Sequence, residues 1–401
     1  MNDRLAPRMT RFQPSASTAA AARARGLKAA GRDIIDLSIG EPDFATPDNV
    51  KAAARRALDE DQTHYTNVAG TPALVEAIRE KFRRDNGLDY GADEIIASAG
   101  GKQVMFNAFL ATVRQGDEIV VPVPYWISYP NQVLVGDGTP VFAATNEATG
   151  FKLTASDLDA AIGEKTRWVV LNSPANPSGA VYSHAELAAL AAVLTRHPGV
   201  LVMVDEIYEH LIYGTAEHHS LVAVEPALRD RVLVVNGVSK AYAMTGWRLG
   251  YGAGPGWLIQ AMAKLQSQAT SCPSAISQAA AVEALTGPQT VLAERRAIMA
   301  ERRDTIFEAL AQIDGITAYR PEGAMYLFCN CRGLLGRRRP DGGVIGDDGD
   351  VVEYLLDAAG VSVVPGGAYG SAGYFRVSFA ISTEALREAG RRIREACGAL
   401  V

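Results

Sequence analysis

Residues 232–251 read VLVVNGVSKAYAMTGWRLGY, in which four apolar residues lead into a turn of small residues that contains Lys240 and, further on, Arg248. Apolar runs of similar strand length recur along the chain, at 94–99, 117–123, 167–172, 200–205, 231–236 and 249–254. Longer segments of helical period separate them, such as GKQVMFNAFLATV and SHAELAALAAVLTRH. Strands that are apolar on both faces and alternate with helices are typical of a mostly parallel sheet covered on two sides. The sequence therefore predicts an α/β fold.

The chain is long enough for more than one hydrophobic core, because its 401 residues exceed the roughly 250 to 300 at which single cores stop growing. Beyond about residue 290 the pattern changes to a long charged helix, several short strands and a final helix, TEALREAGRRIREAC. We therefore predict a large domain over 46–290 and a smaller α+β domain over 291–401. The segment RGLLGRRRPDGGVIGDDGD, 332–350, is rich in Gly, Arg and Asp, which predicts a solvated surface insertion.

Two helix starts in the large domain carry the same signal. Thr46 precedes Pro47 and Thr71 precedes Pro72, so each threonine is predicted to cap a helix that has proline at its first position.

Composition excludes several classes of function. A net charge of −6 and the lack of a long basic run argue against binding to nucleic acid. No apolar run approaches the ~18 to 20 residues that span a bilayer, and the N-terminal MNDRLAPRMTR lacks the apolar core of a signal peptide, so we expect a cytoplasmic protein without a membrane partner. The four cysteines lack the spacing of a disulfide framework, so we expect reduced thiols that are mostly buried. We expect no metal site at Cys329 and Cys331.

Polar residues at the carboxyl ends of the apolar runs are the candidates for a site, because open parallel sheets bind ligands beyond those ends. These residues are Asn172 and Asn176 after the run at 167–172, Asp205 and Tyr208 after 200–205, Ser239 and Lys240 after 231–236, and Gly100, Gly101 and Lys102 after 94–99.

The Gly100-Gly101 pair leads directly into a helix. Two glycines let backbone N–H groups approach a ligand at a helix N-terminus, whose dipole favours negative charge, so a phosphate is the natural guest. Glycines at a strand-to-helix turn also serve as ordinary turn residues, and this signal alone leaves both interpretations open.

Lys240 likewise permits two interpretations. Its side chain could reach the surface as a solvated cation, or it could be an amine in a pocket, where desolvation lowers its pKa and makes it a nucleophile toward carbonyl groups. Asp205, at the end of another strand of the same sheet, favours the second. A carbonyl-reactive amine, a buried carboxylate and a phosphate cradle together are what pyridoxal phosphate requires.

Seven motifs then identify a family. SIGEPDFATP, HYTNVAGTPALVEAI, AGGKQVMFNAF, VPYWISYPN, NSPANPSGAVY, VDEIYEHLIY and NGVSKAYAMTGWRLGY occur in the order seen in fold-type I aminotransferases of the class-I family. The resemblance covers nearly the whole chain and is closest to the bacterial aspartate aminotransferase subgroup that includes aspartate/prephenate enzymes. It implies a pyridoxal-phosphate-dependent fold-type I transferase in which residues 1–45 join the small domain.

The resemblance also implies roles around the cofactor. Lys240 would be its covalent attachment point and the base of the proton transfer, and Asp205 would keep the ring nitrogen protonated. Asn176 and Tyr208 would hydrogen-bond the ring O3′, and Trp126 would stack on the ring. The phosphate would be surrounded by Gly101, Lys102, Ser239 and Arg248. Tyr65 would reach the phosphate of the neighbouring subunit's cofactor, which implies a homodimer with shared sites.

For the substrate, the resemblance implies that Arg376 in YFRVSFA binds the α-carboxylate, a bidentate task that suits a guanidinium. Gly40 would bring backbone close to the same group, and Trp126 and Asn176 would also contact the substrate. Lys102 corresponds to a lysine that helps to bind the distal carboxylate of acidic substrates. A second lysine of the subgroup is replaced here by Gln13, beside Arg11.

The predicted reaction is a ping-pong transamination between an L-amino acid, aspartate above all, and 2-oxoglutarate. Two alternatives stay open within the cofactor class: another donor (aromatic, aliphatic or prephenate), and a lyase or synthase on the same scaffold. A non-catalytic regulator with this fold would need a fused DNA-binding segment or a lost lysine, and the sequence shows neither.

Overall fold

The computed structural model describes residues 4–401, which contain thirteen strands and thirteen α-helices. The strands are β1 (Ile35–Asp36), β2 (Ile95–Ser98), β3 (Glu118–Val123), β4 (Thr139–Ala144), β5 (Thr166–Asn172), β6 (Leu201–Asp205), β7 (Val232–Gly237), β8 (Gly250–Ala253), β9 (Thr317–Ala318), β10 (Tyr326–Asn330), β11 (Val361–Ser362), β12 (Val364–Pro365) and β13 (Tyr374–Ser378).

The helices are α1 (Ala16–Ala29), α2 (Asp48–Asp59), α3 (Pro72–Lys81), α4 (Gly101–Thr112), α5 (Ser128–Val135), α6 (Ala155–Ala161), α7 (His184–Arg196), α8 (Leu221–Val224), α9 (Gly256–Ala269), α10 (Ala275–Thr286), α11 (Thr290–Ala311), α12 (Asp348–Ala358) and α13 (Thr383–Gly398). A π-helical turn, Phe82–Asn86, extends α3, and short 3-10 turns connect several of the other elements.

The largest sheet has seven strands in the order β2-β8-β7-β6-β5-β3-β4. All neighbours from β7 to β4 pair in parallel, whereas β8 is antiparallel to both β2 and β7. Six strands therefore point the same way, and β8 begins at the edge where those six end. The predicted mostly parallel sheet is present, with one strand reversed.

Helices cover both faces of this sheet, which explains why its strands are apolar throughout. Along β7, Val232 and Val234 face a core shared with α2, α3, α7 and α10, while Leu233 and Val235 face a core shared with α4, α5 and α9. Successive side chains of a strand point to opposite faces, so both sets are buried.

A second unit contains the four-stranded antiparallel sheet β12-β13-β10-β9, with α11, α12 and α13 packed around it. The strand β1 pairs in parallel with β11, and α1 contacts β11 and β12, so the segment before α2 lies against this second unit. The domain limits at residues 45 and 290 stay a prediction, and residues 1–3 of the predicted N-terminal segment lie outside the described residues.

The 332–350 segment is mainly exposed. It is fixed by the buried side chains of Leu334, Ile345 and Asp348 and by an antiparallel bridge between Arg338 and Val344. Within residues 4–401, no helix is both long and apolar enough to span a membrane.

Candidate active site

A cavity of about 370 Å³ opens at the edge of the large sheet where the parallel strands end. Its lining includes every site residue predicted from the sequence except Tyr65. These residues are Gly40, Gly101, Lys102, Trp126, Asn176, Asp205, Tyr208, Ser239, Lys240, Arg248 and Arg376. Lys240 follows β7, and Arg248 precedes β8; because β8 runs against β7, both cations lie at the same edge.

Lys240 provides an amine inside this cavity. Its Nζ donates a hydrogen bond of 2.5 Å to the carbonyl oxygen of Gly40 and lies 5.9 Å from the centre of the Tyr208 ring. Burial is the main cause that lowers the pKa of Lys240, to about 8, and the nearby cations Arg376 and Arg248 act in the same direction. A neutral amine is therefore accessible near neutral pH, as a nucleophile or a proton acceptor requires.

Asp205 is buried at the end of β6. The Tyr129 hydroxyl donates to its Oδ2 at 2.6 Å, and the Ile207 N–H donates to its Oδ1 at 3.2 Å. Burial raises the pKa of Asp205 to about 6, and these two hydrogen bonds limit the rise. Above that pH the carboxylate is a buried negative charge, which suits a cationic partner in the cavity.

One end of the cavity, at the N-terminus of α4, is suited to an anion. Gly100, with φ of 91°, precedes α4, and its ideal Cβ would lie 2.5 Å from Nη2 of Arg248. Arg248, itself left-handed with φ of 55°, donates to the carbonyl oxygens of Thr245 at 2.8 Å and Ala99 at 3.3 Å. The N-terminus of α4 and the Arg248 guanidinium thus lie together, and the buried Ser239 lines the same cavity.

Arg376 is buried on β13 in the wall of the cavity. Its Nη1 donates to Oδ1 of Asn176 at 3.1 Å, and its Nη2 donates to the Ser38 carbonyl at 2.6 Å. The guanidinium lies 4.3 Å from the ring centre of Tyr326 and 5.2 Å from that of Tyr369. A buried arginine that contacts two aromatic rings and lines a cavity is suited to bidentate binding of a carboxylate.

Lys102 lies at the mouth of the cavity, with its ammonium 5.0 Å from the centre of the Trp126 ring. Partial desolvation and the nearby Arg248 lower its pKa. Gln13 is exposed in an adjoining groove that Lys102 also lines. The Arg11 guanidinium forms an ion pair with Asp137 and does not line the cavity.

Tyr65 is separate from this group. Its side chain is 90% exposed and belongs to a surface groove with His64, Ala275 and Ala279. Its predicted role concerns the neighbouring subunit's site, and that role stays a prediction.

Sequence reasoning missed three tyrosines that orient the site. The Tyr129 hydroxyl donates a hydrogen bond to Asp205, and the ring of Tyr369 lies beside the Arg376 guanidinium. The hydroxyl groups of Tyr326 and Tyr208 are hydrogen-bonded at 2.8 Å. Tyr129 follows Trp126 by three positions in VPYWISYPN, a spacing that puts neighbouring side chains on one side of a helical turn and could have indicated it. Tyr326 and Tyr369 carry no such signal, because their positions depend on strand register and loop path.

The fold and this arrangement define an enzyme class. The family model described as aminotransferase class I and II matches residues 32–393, so the chain belongs to that family. The resemblance drawn from the sequence, the fold-type I architecture and the aminotransferase assignment are thereby confirmed.

Individual relatives are similar over nearly their whole length. The chain is 50% identical to an aspartate/prephenate aminotransferase of Cereibacter sphaeroides, over 99% of both chains. The crystal structure of the aspartate aminotransferase of Rhizobium meliloti superposes with a TM-score of 0.96 at 50% identity, covering 99% of both chains. The aspartate aminotransferase of Thermus thermophilus with maleate gives a TM-score of 0.91 at 42% identity, covering 98% of this chain and 99% of that one.

Proposed function

We propose that this aminotransferase uses pyridoxal phosphate to exchange an amino group between L-aspartate and 2-oxoglutarate in two alternating half-reactions. The observation that carries the proposal is the joint placement of the Lys240 amine, the Asp205 carboxylate, the Arg376 guanidinium and a helix N-terminus around one cavity. The names of the relatives, which specify aspartate, support the choice of donor.

The donor set fits pyridoxal phosphate. The cradle at Gly100 and Arg248 suits its phosphate, because a side chain at Gly100 would fill it. Asp205 suits the ring nitrogen, and Tyr208 and Asn176 suit the ring hydroxyl. When bound, this cofactor carries the amino group and acts as an electron sink for the substrate carbon.

The chain's own residues then divide the work. Lys240 would hold the cofactor covalently and move a proton at its Nζ, which a pKa near 8 allows at neutral pH. Asp205 would keep a proton on the ring nitrogen. Tyr208 is fixed by its contact with Tyr326, and burial keeps its pKa well above the ordinary value, so its hydroxyl remains protonated and can donate.

Substrate recognition would use two cations. Arg376 would bind the α-carboxylate, with Gly40 backbone close to it, and Lys102 would attract the distal carboxylate of aspartate at the mouth. Gln13 adds no charge there, and Arg11 is already paired with Asp137. Acidic specificity would therefore depend on Lys102 more than on any other side chain near the mouth.

We further propose a cytoplasmic homodimer. The four cysteines are free thiols, which suits a reducing compartment. The exposed Tyr65, in a groove of partly apolar lining, suits a surface that meets a second copy of the chain.

The central experiment replaces Lys240 by alanine, with the exposed Lys165→Ala as the matched control. Lys240→Ala should lose the absorbance of the covalently bound cofactor and both half-reactions, while Lys165→Ala keeps them. A fully active Lys240→Ala enzyme would overturn the proposal.

Mixing the loaded enzyme with single amino acids, without an oxo acid, tests the reaction type and the donor. A transaminase stops after one turnover, whereas a lyase or synthase continues to release product. Aspartate should react fastest. Slow aspartate and glutamate together with a fast aromatic or aliphatic donor would contradict the acidic assignment.

A further inference from the structure

The turn that follows β6 has two faces. Asp205 and Tyr208 point into the cavity, whereas Glu206 and Glu209 point away from it into the protein. The Glu206 side chain is fully buried and the Glu209 side chain is 3% exposed. Two buried carboxylates thus lie directly behind the two residues that contact the cofactor in the proposed function.

Two cations from other parts of the chain meet these carboxylates. The ammonium of Lys81, the last residue of α3 and fully buried, forms an ion pair with Oε1 of Glu209 and donates to Oδ1 of Asn86 at 2.7 Å. The Asn86 amide donates in turn to Oε2 of Glu209 at 2.9 Å. Nε2 of His218 lies 3.3 Å from Oε2 of Glu206 and 3.7 Å from Oε2 of Glu209.

Charge balance assigns a proton to His218. Lys81 offsets one carboxylate, and the second needs another cation, because an unpaired buried charge is costly. Among the described residues, neither oxygen of Glu206 and neither ring nitrogen of His218 has a hydrogen-bond partner, and the two side chains lie within ion-pair distance at 3.3 Å, which makes His218 the counter-charge of Glu206. Burial disfavours the imidazolium, but Glu206 and Glu209 outweigh burial and raise the pKa of His218. His210, 3.3 Å from Glu209, has its pKa lowered by burial.

A divalent cation is the competing occupant, since ligand atoms of Glu206, Glu209 and His218 lie within 4.8 Å of one another. The Lys81 ammonium already contacts Glu209, which argues against a second cation of higher charge at that carboxylate.

We propose that Lys81 and His218 are positioning residues for the proposed reaction: they hold the back of the turn that presents Asp205 and Tyr208 to the cofactor. The proposal rests on the proposed function. Removing either cation leaves a buried carboxylate without its counter-charge. Either the turn must then move or the carboxylate must take up a proton.

The test compares His218→Gln, Glu206→Gln, the double variant and Lys81→Met, with His219→Gln as the matched control. His219 is the adjacent histidine, and its ring packs against His184 instead of the cluster. Two quantities are measured on the apoenzyme: the dissociation constant for pyridoxal phosphate at pH 7, and the pH at which that affinity falls by half on acidification.

His218→Gln and Lys81→Met should weaken pyridoxal phosphate binding by about tenfold or more, because each leaves a buried charged group unpaired. The negative charge of Glu206 raises the pKa of Asp205. In His218→Gln no cation balances that charge, so the pH at which the affinity falls by half should rise. Removing both charges in His218→Gln/Glu206→Gln should restore the affinity and move the midpoint below that of the wild type. His219→Gln should match the wild type.

Three results would overturn the proposal. One is a lower melting temperature in the variants with unchanged affinity and midpoint, which indicates a role in stability alone. Another is a double variant that binds no better than His218→Gln. The third is a wild-type protein that retains one equivalent of metal and melts at a lower temperature after chelation. That result would show that a metal ion, and not a proton on His218, balances the carboxylates. A wild-type protein that binds no pyridoxal phosphate would instead refute the proposed function.

Discussion

At the scale of single residues, the site depends on side chains that orient and charge its functional groups. Tyr129 is an example, because its hydroxyl donates to Asp205 at 2.6 Å and thereby favours the ionised carboxylate. Without that bond, burial would raise the pKa of Asp205 further above about 6.

Tyr129→Phe should therefore move the loss of pyridoxal phosphate affinity on acidification to higher pH. The sign follows because, in the proposed function, the ionised form of Asp205 would bind the cofactor, and the variant would need a higher pH to ionise it. The dissociation constant is measured from pH 5 to 8, with Tyr125→Phe as the control, since Tyr125 stacks on Phe142 and does not line the cavity. A Tyr129→Phe profile that coincides with the control would refute this role.

Arg376 offers a second prediction at this scale. Arg376→Lys keeps the charge but loses the planar fork, so the KM for aspartate should rise roughly tenfold, the effect of one charge-assisted hydrogen bond. The absorbance of the bound cofactor should be unchanged, which separates substrate binding from cofactor binding. Arg320→Lys, a change at an exposed pair with Asp304, is the control. An unchanged KM would remove Arg376 from the substrate site.

At the scale of elements, the contact between β8 and α4 fixes the anion end of the cavity. An ideal Cβ at Gly250, the first residue of β8, would overlap the backbone nitrogen of Gly101. The strand and the helix N-terminus can approach this closely only because Gly250 has no side chain.

Gly250→Ala should destabilise the apoenzyme by about 1 to 3 kcal/mol, as overpacking does, and should also weaken pyridoxal phosphate binding because α4 is displaced. Gly26→Ala is the control, since Gly26 lies inside α1 with nothing within 4 Å of an added Cβ. That change should raise stability by about 0.5 to 1 kcal/mol. The thermal unfolding midpoints of Gly250→Ala and Gly26→Ala test these two expectations. Equal midpoints would contradict the close contact between Gly250 and the backbone of Gly101.

Elements also show how far sequence signals extend. Thr71 caps α3 as predicted, by accepting a hydrogen bond from the Leu74 N–H. The same signal was wrong at Thr46: α2 begins at Asp48 without a side-chain cap, because the Thr46 hydroxyl donates to the Ala243 carbonyl and accepts from the Trp247 indole. The difference lies in tertiary contacts across the chain, which local patterns do not contain.

At the scale of the whole molecule, the proposed dimer would give the exposed Tyr65 a function in the neighbouring subunit's site. Mixed dimers of Tyr65→Ala and Lys240→Ala subunits test this directly. The subunit that keeps Lys240 would receive an intact Tyr65 from its partner, so activity per Lys240-bearing subunit should return to the wild-type value. Activity no higher than that of the Tyr65→Ala homodimer would contradict shared sites.

The same scale separates what the sequence predicts from what it does not. Lys240, Asp205 and Asn176 were predictable because parallel strands end at one edge, so residues that are distant in the chain meet there. Arg376 needed the family resemblance, since it comes from a different sheet. Lys81 and His218 could not be found, because nothing in a helix end or a loop indicates which buried carboxylate it will meet.

The reversal of β8 has a consequence for changes in chain length. The connection from β7 to β8 contains both Lys240 and Arg248, so its length sets the distance between the two residues proposed to hold the cofactor covalently and by its phosphate. Insertions there would separate these two points, whereas insertions among the exposed residues of 332–350 would leave them in place. Natural and engineered length variation should therefore concentrate in the second segment and spare the first.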